Sequence, residues 1–184
     1  MKFVVAITGA SGAIYAQRLL DHLHAQEVHL VLSDHAREIV AGELDGGELV
    51  LAGHVVRHDN RSMHVPFVSG SAQFDAMIVI PCSMGTLGRI ANGTSEDVIC
   101  RAADVFLKER RKLILVPRET PYNLIHVRNM ERLLDAGADI IPATPSFYNR
   151  PQTVQQVVDT VVARVLDHLG IPHALAKPWM EKES

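Results

Sequence analysis

Aromatic residues are scarce: one Trp, three Tyr and five Phe make up 5% of the 184 residues. Cysteine is scarcer still. The two thiols, Cys82 and Cys100, are too few for a disulfide framework and suit a reducing compartment. Charge of one sign is not in excess, since 18 Lys and Arg against 21 Asp and Glu leave a net charge of −3. A site for nucleic acid or an anionic membrane would therefore have to be local. No apolar run approaches the roughly 20 residues that a membrane span requires. The chain enters a strand within three residues, without the charged and apolar regions of a signal peptide. These absences point to a soluble, cytoplasmic protein. Metal-binding spacing is also missing. The ten histidines, seven of them between residues 22 and 64, form no H-E-x-x-H and the cysteines no C-x-x-C, so no metal is expected.

What is present is apolar residue content of 47%, enough for one domain of this length to bury a full core. KFVVAIT (2–8) is a nearly continuous branched apolar run, which fits a strand buried on both faces. Helical spacing follows over 12–24, then a strand at 27–33 and a helix at 34–44. Residues 45–72 read as an irregular excursion with a short strand-like VVRH at 55–58. Alternation resumes with a strand at 75–81, a helical region over 99–111, a strand at 112–117, a helix at 124–136, a short strand at 139–142 and a helix at about 152–169. In that last helix Val154, Val157, Val158, Val161, Val162, Val165, Leu166 and Leu169 form one wide apolar stripe. Apolar strands alternating with helices predict a three-layer α/β fold, flavodoxin- or Rossmann-like, with a mainly parallel sheet flanked by helices on both faces. Ligands in such folds sit beyond the carboxyl ends of the strands.

The loops at those ends carry the chemistry. Thr8-Gly9-Ala10-Ser11-Gly12 has small residues that let a ligand approach and precedes a helix whose N-terminus offers N–H groups; the same residues also serve a tight turn that binds nothing. The further glycine of the dinucleotide fingerprint is missing, with Ile14 and Tyr15 in that region, which favours a smaller phosphate ligand than NAD. Asp34 suits an NAD ribose, and Ser33 or Asp34 equally suits a helix cap. PCSMGTLGRIANGTS (81–95) reads as a glycine-rich loop with many small donors, able to form an anion nest or to be a capped turn. Arg101 and Lys108, seven apart, share a helix face and could converge on an anion, or lie on a solvated face. Arg118 and Glu119 form either a surface pair or a phosphate ligand and proton carrier.

Taken together, AITGASGAIYAQRLL, PCSMGTLGRIANG, RAADVFLKERRKLILVPRETPYN, PATPSFYNRPQ and the final tryptophan resemble the flavin prenyltransferase (UbiX-type) family over essentially the whole chain. The flavin-dependent cysteine decarboxylases, expected to carry a catalytic histidine, are a more distant likeness. The resemblance implies a metal-independent transferase. Reduced FMN is alkylated by dimethylallyl monophosphate at N5 and closed at C6, and the prenylated FMN is supplied to UbiD-type decarboxylases. It assigns FMN to Gly9, Ala10, Ser11, Ser33, Ser83, Met84, Gly85, Thr86 and Arg118. Dimethylallyl phosphate falls to Lys108, Tyr148 and Arg164, with Arg101 close by, Trp179 at the tail, and some of these side chains coming from neighbouring subunits. For catalysis it implies Ser11, Glu43, Glu119 and Lys108: Glu119, Ser11 and the released phosphate are the candidates for the proton lost on ring closure, and Glu43 matches another acidic residue of the family site.

The resemblance further implies a homododecamer. It makes residues 1–184 a single flavoprotein domain whose tail, about 171–184, packs on a neighbouring subunit. Met63 stands where some members have a tryptophan, so the prenyl pocket wall departs from the family there. A non-catalytic FMN carrier for a partner decarboxylase and an NAD-dependent dehydrogenase are the alternative readings.

Overall fold

Strands made of branched apolar residues satisfy both their side chains and their backbone only inside a sheet covered on two sides. In the computed structural model, which describes residues 1–176, six segments form one sheet. They are β1 (Lys2–Ile7), β2 (Glu27–Leu32), β3 (Val55–Asp59), β4 (Ala76–Cys82), β5 (Lys112–Pro117) and β6 (Asp139–Ile140). Neighbours pair in parallel in the order β3-β2-β1-β4-β5-β6. The order reverses between β1 and β4, which is where doubly wound sheets open a crevice for ligands.

Helices α1 (Ala13–Leu20), α2 (Asp34–Glu43) and α6 (Val154–Leu169) cover one face. The other is covered by α3 (Met84–Ala91), α4 (Val98–Lys108) and α5 (Leu124–Asp135). Successive strand residues feed the two cores alternately: Phe3, Val5 and Ile7 pack beneath α1 and α6, while Val4 and Ala6 pack with Leu87 and Phe106. The α/β architecture expected from the sequence is the one observed. Among the described residues no helix is long and apolar enough to cross a membrane.

Four local expectations change. Residues 84–91, read as loop, are helix α3, because the Ser83 hydroxyl caps the first turn and Met84, Leu87 and Ile90, three apart, face the core. The glycines at 85 and 88 hide this short amphipathic period. Val154 is 72% exposed, so the apolar stripe of α6 begins one turn later. The first helix ends at Leu20 instead of His24, and β6 has only two residues. The excursion over 45–72 does contain the strand expected at 55–58, as the sheet's edge strand β3.

One buried ion pair ties the helices of the first face together. Arg18 on α1 grips Asp159 on α6 with two bonds, Nε to Oδ1 at 2.8 Å and Nη2 to Oδ2 at 3.1 Å, and the Asp159 side chain is only 9% exposed. Removing one partner strands the other charge in a poorly solvated place. We expect Asp159→Ala to lower stability by about 3 kcal/mol in urea unfolding, and Asp159→Ala with Arg18→Met to recover part of that loss.

Candidate active site

The crevice is built around Thr8, at the carboxyl end of β1. Fully buried, its hydroxyl donates to the Pro81 carbonyl at 3.0 Å and accepts the Ser83 N–H at 2.7 Å. The loops after β1 and β4 are thereby fixed to one another. Within the first loop, Gly9 is required by packing: a Cβ there would lie 2.6 Å from the Cβ of His35. Gly12 has φ 114°, a conformation that favours glycine, and the ring of Tyr15 lies where its Cβ would be, 2.8 Å away.

Two amides at the N-terminus of α1 are already taken. Glu43, from the end of α2, accepts the N–H groups of Gly12 at 2.7 Å and Ala13 at 2.8 Å through one carboxylate oxygen, and the Ser11 hydroxyl donates to the same carboxyl group. Burial pushes the Glu43 carboxyl up, but Ser11, the two amides and the charge of Arg118 together outweigh it and hold it below the usual carboxylate range. Arg118, at the end of β5, donates from Nε to the Ser11 carbonyl at 3.1 Å. Tyr15 sits beside this group, its phenol pushed up by burial against the opposing charge of Arg118. Ser11, Glu43 and Arg118 therefore meet at one place.

Behind the second loop lies a polar chain that the sequence reading missed. The Ser83 hydroxyl accepts the Thr86 N–H at 3.3 Å and donates to the Thr86 hydroxyl at 3.1 Å. Arg89 donates from Nη2 to Thr86 Oγ1 at 3.2 Å and from Nη1 to Asp97 at 2.8 Å. Asp97 in turn caps α4 by accepting the Cys100 N–H at 2.8 Å. Reading 84–91 as a helix would have placed Arg89 one turn beyond Thr86 and exposed this link. The Met84 side chain is buried in the core. Around Gly85 nothing lies within 4 Å of where a Cβ would be. The thiols are no nucleophiles: burial pushes both Cys82 and Cys100 up to about 12.

The remaining residues singled out in the sequence have other partners. Ser33 caps α2 by accepting the Ala36 N–H at 3.2 Å, and Asp34 is engaged by Arg61 in an exposed ion pair. Glu119 turns back on its own backbone and accepts the Thr120 N–H at 3.0 Å. Arg101 pairs with Asp104 in a half-buried place, and Lys108 with Glu109 and Arg164 with Asp167 on exposed surface. Arg101 and Lys108 ride on α4 and Arg164 on α6, so the sheet stands between them. Lys108 ends α4 just before β5 begins, and α6 ends beside the start of β5, where Lys112 donates to the His168 carbonyl. Lys108 and Arg164 thus lie toward the amino edge of the sheet, away from Ser11 and Glu43, whereas Arg101, in the first turn of α4, lies at the carboxyl edge, where the Val98 N–H meets the Asn60 carbonyl just beyond β3. Tyr148 is 46% and Met63 43% exposed. Trp179 lies outside the described residues. Among the described residues no three His, Cys, Asp or Glu side chains gather into a metal site.

A carboxyl group held below its usual range stabilises the fold above that range and loses its contribution as pH falls through its folded value. For Glu43, whose side chain is solvent-exposed, we expect about 0.5 kcal/mol at neutral pH after allowing for screening. The stability advantage of the wild type over Glu43→Gln, measured by thermal unfolding, should be present at pH 7 and vanish in acid.

Comparison with known proteins gives the geometry its family. A family model described as Flavoprotein matches residues 1–166. A flavin prenyltransferase UbiX of Methanocaldococcus jannaschii is 48% identical over 181 residues, covering 97% of this chain and 98% of that protein. The crystal structure of AnUbiX (PadA1) in complex with FMN and dimethylallyl pyrophosphate superposes with a TM-score of 0.92 at 39% identity, covering 99% of this chain and 98% of the other. A dodecameric FMN-dependent UbiX-like decarboxylase from Escherichia coli superposes with a TM-score of 0.92 at 42% identity, covering 98% of this chain and all of the other. A crevice at the β1–β4 reversal, built from TGASG and PCSMGT, thus coincides with likeness along nearly the whole chain, and the chain belongs to the UbiX flavin prenyltransferases of the flavoprotein family.

Proposed function

We propose that this chain transfers a dimethylallyl group from dimethylallyl monophosphate to N5 and C6 of reduced FMN, making the prenylated FMN that UbiD-type decarboxylases use. The observation that carries the reading is the crevice at the β1–β4 reversal. There a hydroxyl, an ionised carboxylate and an arginine converge beside the first turn of α3. The residues present fit FMN. Gly85 is the second residue of α3, and among the described residues no atom outside that helix turn lies within 4 Å of where a Cβ would be. Close ligand approach accounts for that glycine. The amides of Met84 and Gly85 lie in the first turn of α3, where no intrahelical acceptor exists.

When bound, the reduced flavin supplies the nucleophilic positions. Ser83, Met84, Gly85, Thr86 and Arg118 would hold it, with Gly9, Ala10, Ser11 and Ser33 lining the other side. Breaking the allylic C–O bond develops negative charge on the departing phosphate, which fixed cations and a phenol stabilise. Lys108, Tyr148 and Arg164, with Arg101 nearby and Trp179 at the tail, are that set. Ionised Glu43 fixes the Ser11 hydroxyl as a donor, so Ser11 can hold or pass a proton while Glu43 keeps its charge. Glu119 is the second carboxylate of the edge and the acceptor for the proton lost on ring closure.

A single chain keeps Lys108 and Arg164 apart from the crevice, and the assembly would bring them to it. The sheet stands between Lys108 and Arg164, and both lie toward the edge opposite Ser11 and Glu43. Leu124, Ile125, Phe147 and Val154 are between 62% and 72% exposed and suit burial against other copies. The assembly we propose is a homododecamer, and free buried thiols suit a cytoplasmic site. Prenylated FMN would pass from it to the partner decarboxylase.

Mass spectrometry of FMN after incubation, reduced, with dimethylallyl monophosphate and the protein should show a product heavier by one prenyl unit. An unmodified flavin would overturn the reading. Glu119→Gln should keep FMN and lose turnover, whereas a simple carrier would lose nothing. Lys108→Ala and Arg164→Ala, each inactive alone, should regain activity when unfolded together and co-refolded, because mixed oligomers then contain sites with both cations intact.

A further inference from the structure

Ser83 and Thr86 are two hydroxyl groups with two hydrogens between them. One hydrogen lies in their mutual bond of 3.1 Å, and the other finds no acceptor among the described residues. The positions that could accept are largely taken: the Thr86 N–H occupies Ser83 Oγ at 3.3 Å, and Arg89 Nη2 occupies Thr86 Oγ1 at 3.2 Å. Thr86 is 3% exposed and Ser83 is half-buried, so the pair meets the crevice through Ser83. A pair in this state has a hydrogen to give and little capacity to receive.

Arg89 enforces that polarity. A guanidinium has donors only, so the oxygen it touches must act as an acceptor toward it and present its hydrogen elsewhere. Asp97 fixes the guanidinium from the other side at 2.8 Å, while its second oxygen caps α4, which prevents Arg89 from swinging into solvent. The charge is felt on the strand side as well, where Arg89 draws the Cys82 thiol down against the larger effect of burial. We propose that Arg89 is a positioning residue which, acting through Thr86, makes the Ser83–Thr86 pair a hydrogen-bond donor to an acceptor atom of the bound flavin, a carbonyl oxygen or an unprotonated ring nitrogen. This rests on the assignment of FMN to the β1–β4 crevice.

The test is a double-mutant cycle on FMN binding, read by quenching of flavin fluorescence in the full-length protein. Arg89→Met should weaken FMN binding about tenfold, the upper end of what one neutral hydrogen bond contributes. In a Thr86→Val background the same substitution should cost nothing further. Arg89→Lys should restore part of the affinity, since an ammonium reaches either Thr86 or Asp97 but does not fork between them. Equal loss in both backgrounds would make Arg89 merely structural, and no loss in either would remove it from the site; both results overturn the inference. Should Arg89→Met fail to fold, Asp97→Asn keeps the helix cap and releases the guanidinium. It must then weaken FMN only where Thr86 is present, or the inference falls. A wild type that binds no FMN overturns the functional reading and this inference with it, whereas a wild type that binds FMN without the coupling overturns the inference alone.

Discussion

The buried hydroxyl of Thr8 is the interaction on which the crevice depends. It joins the carbonyl of Pro81 to the amide of Ser83, so that two loops from neighbouring parallel strands share one oxygen. An amide left without that acceptor in a buried place would cost about 1–3 kcal/mol. Once Ser83 is fixed, its side chain caps α3 and its carbonyl accepts the Leu87 N–H, which sets the direction of the helix. Thr86, Arg89 and Asp97 follow from that direction, and with them the start of α4. Much of the far side of the crevice therefore hangs from one side chain of β1.

Electrostatics divides the crevice into two unlike sides. Glu43 offsets the positive end of α1 with its own carboxylate, which takes the amides of Gly12 and Ala13. Among the described residues the N-terminus of α3 meets no such carboxylate, and Arg118 adds a positive charge from β5 at the first loop. A ligand with a phosphate and a polar ring edge thus encounters a carboxylate with a hydroxyl on one side and amides with hydroxyls on the other. Lys108 and Arg164 stand elsewhere, on the outer helices and toward the opposite edge.

The excursion before β4 belongs with those outer cations. Arg111 holds the carbonyls of Gly70 and Ala72 at 2.7 and 2.5 Å, which fastens the segment to the end of α4. Gly70 passes so close that a Cβ would lie 2.9 Å from the Lys108 ammonium and 2.8 Å from the Glu109 carboxyl carbon. The irregular segment therefore shapes the surroundings of Lys108 more than those of the β1–β4 crevice. Lys108 has a defined seat before any second copy arrives.

Periodicity determined the alternation of strands and helices, because burial on both faces of a parallel sheet leaves continuous apolar runs that no tertiary detail can disguise. The ordered blocks TGASG, PCSMGT, PRE and FYNRP were enough to name the family. Helix α3 was not legible, since two glycines interrupt a stripe only three residues long and its cap is a serine that fits a loop equally well. The tertiary structure alone decided that Glu43, thirty-one residues from Gly12, fills the end of α1. It alone decided that Arg89 lies behind Thr86. It also placed Lys108 and Arg164 across the sheet, because which face a helix covers follows from strand order and crossover, and spacing along the chain carries neither.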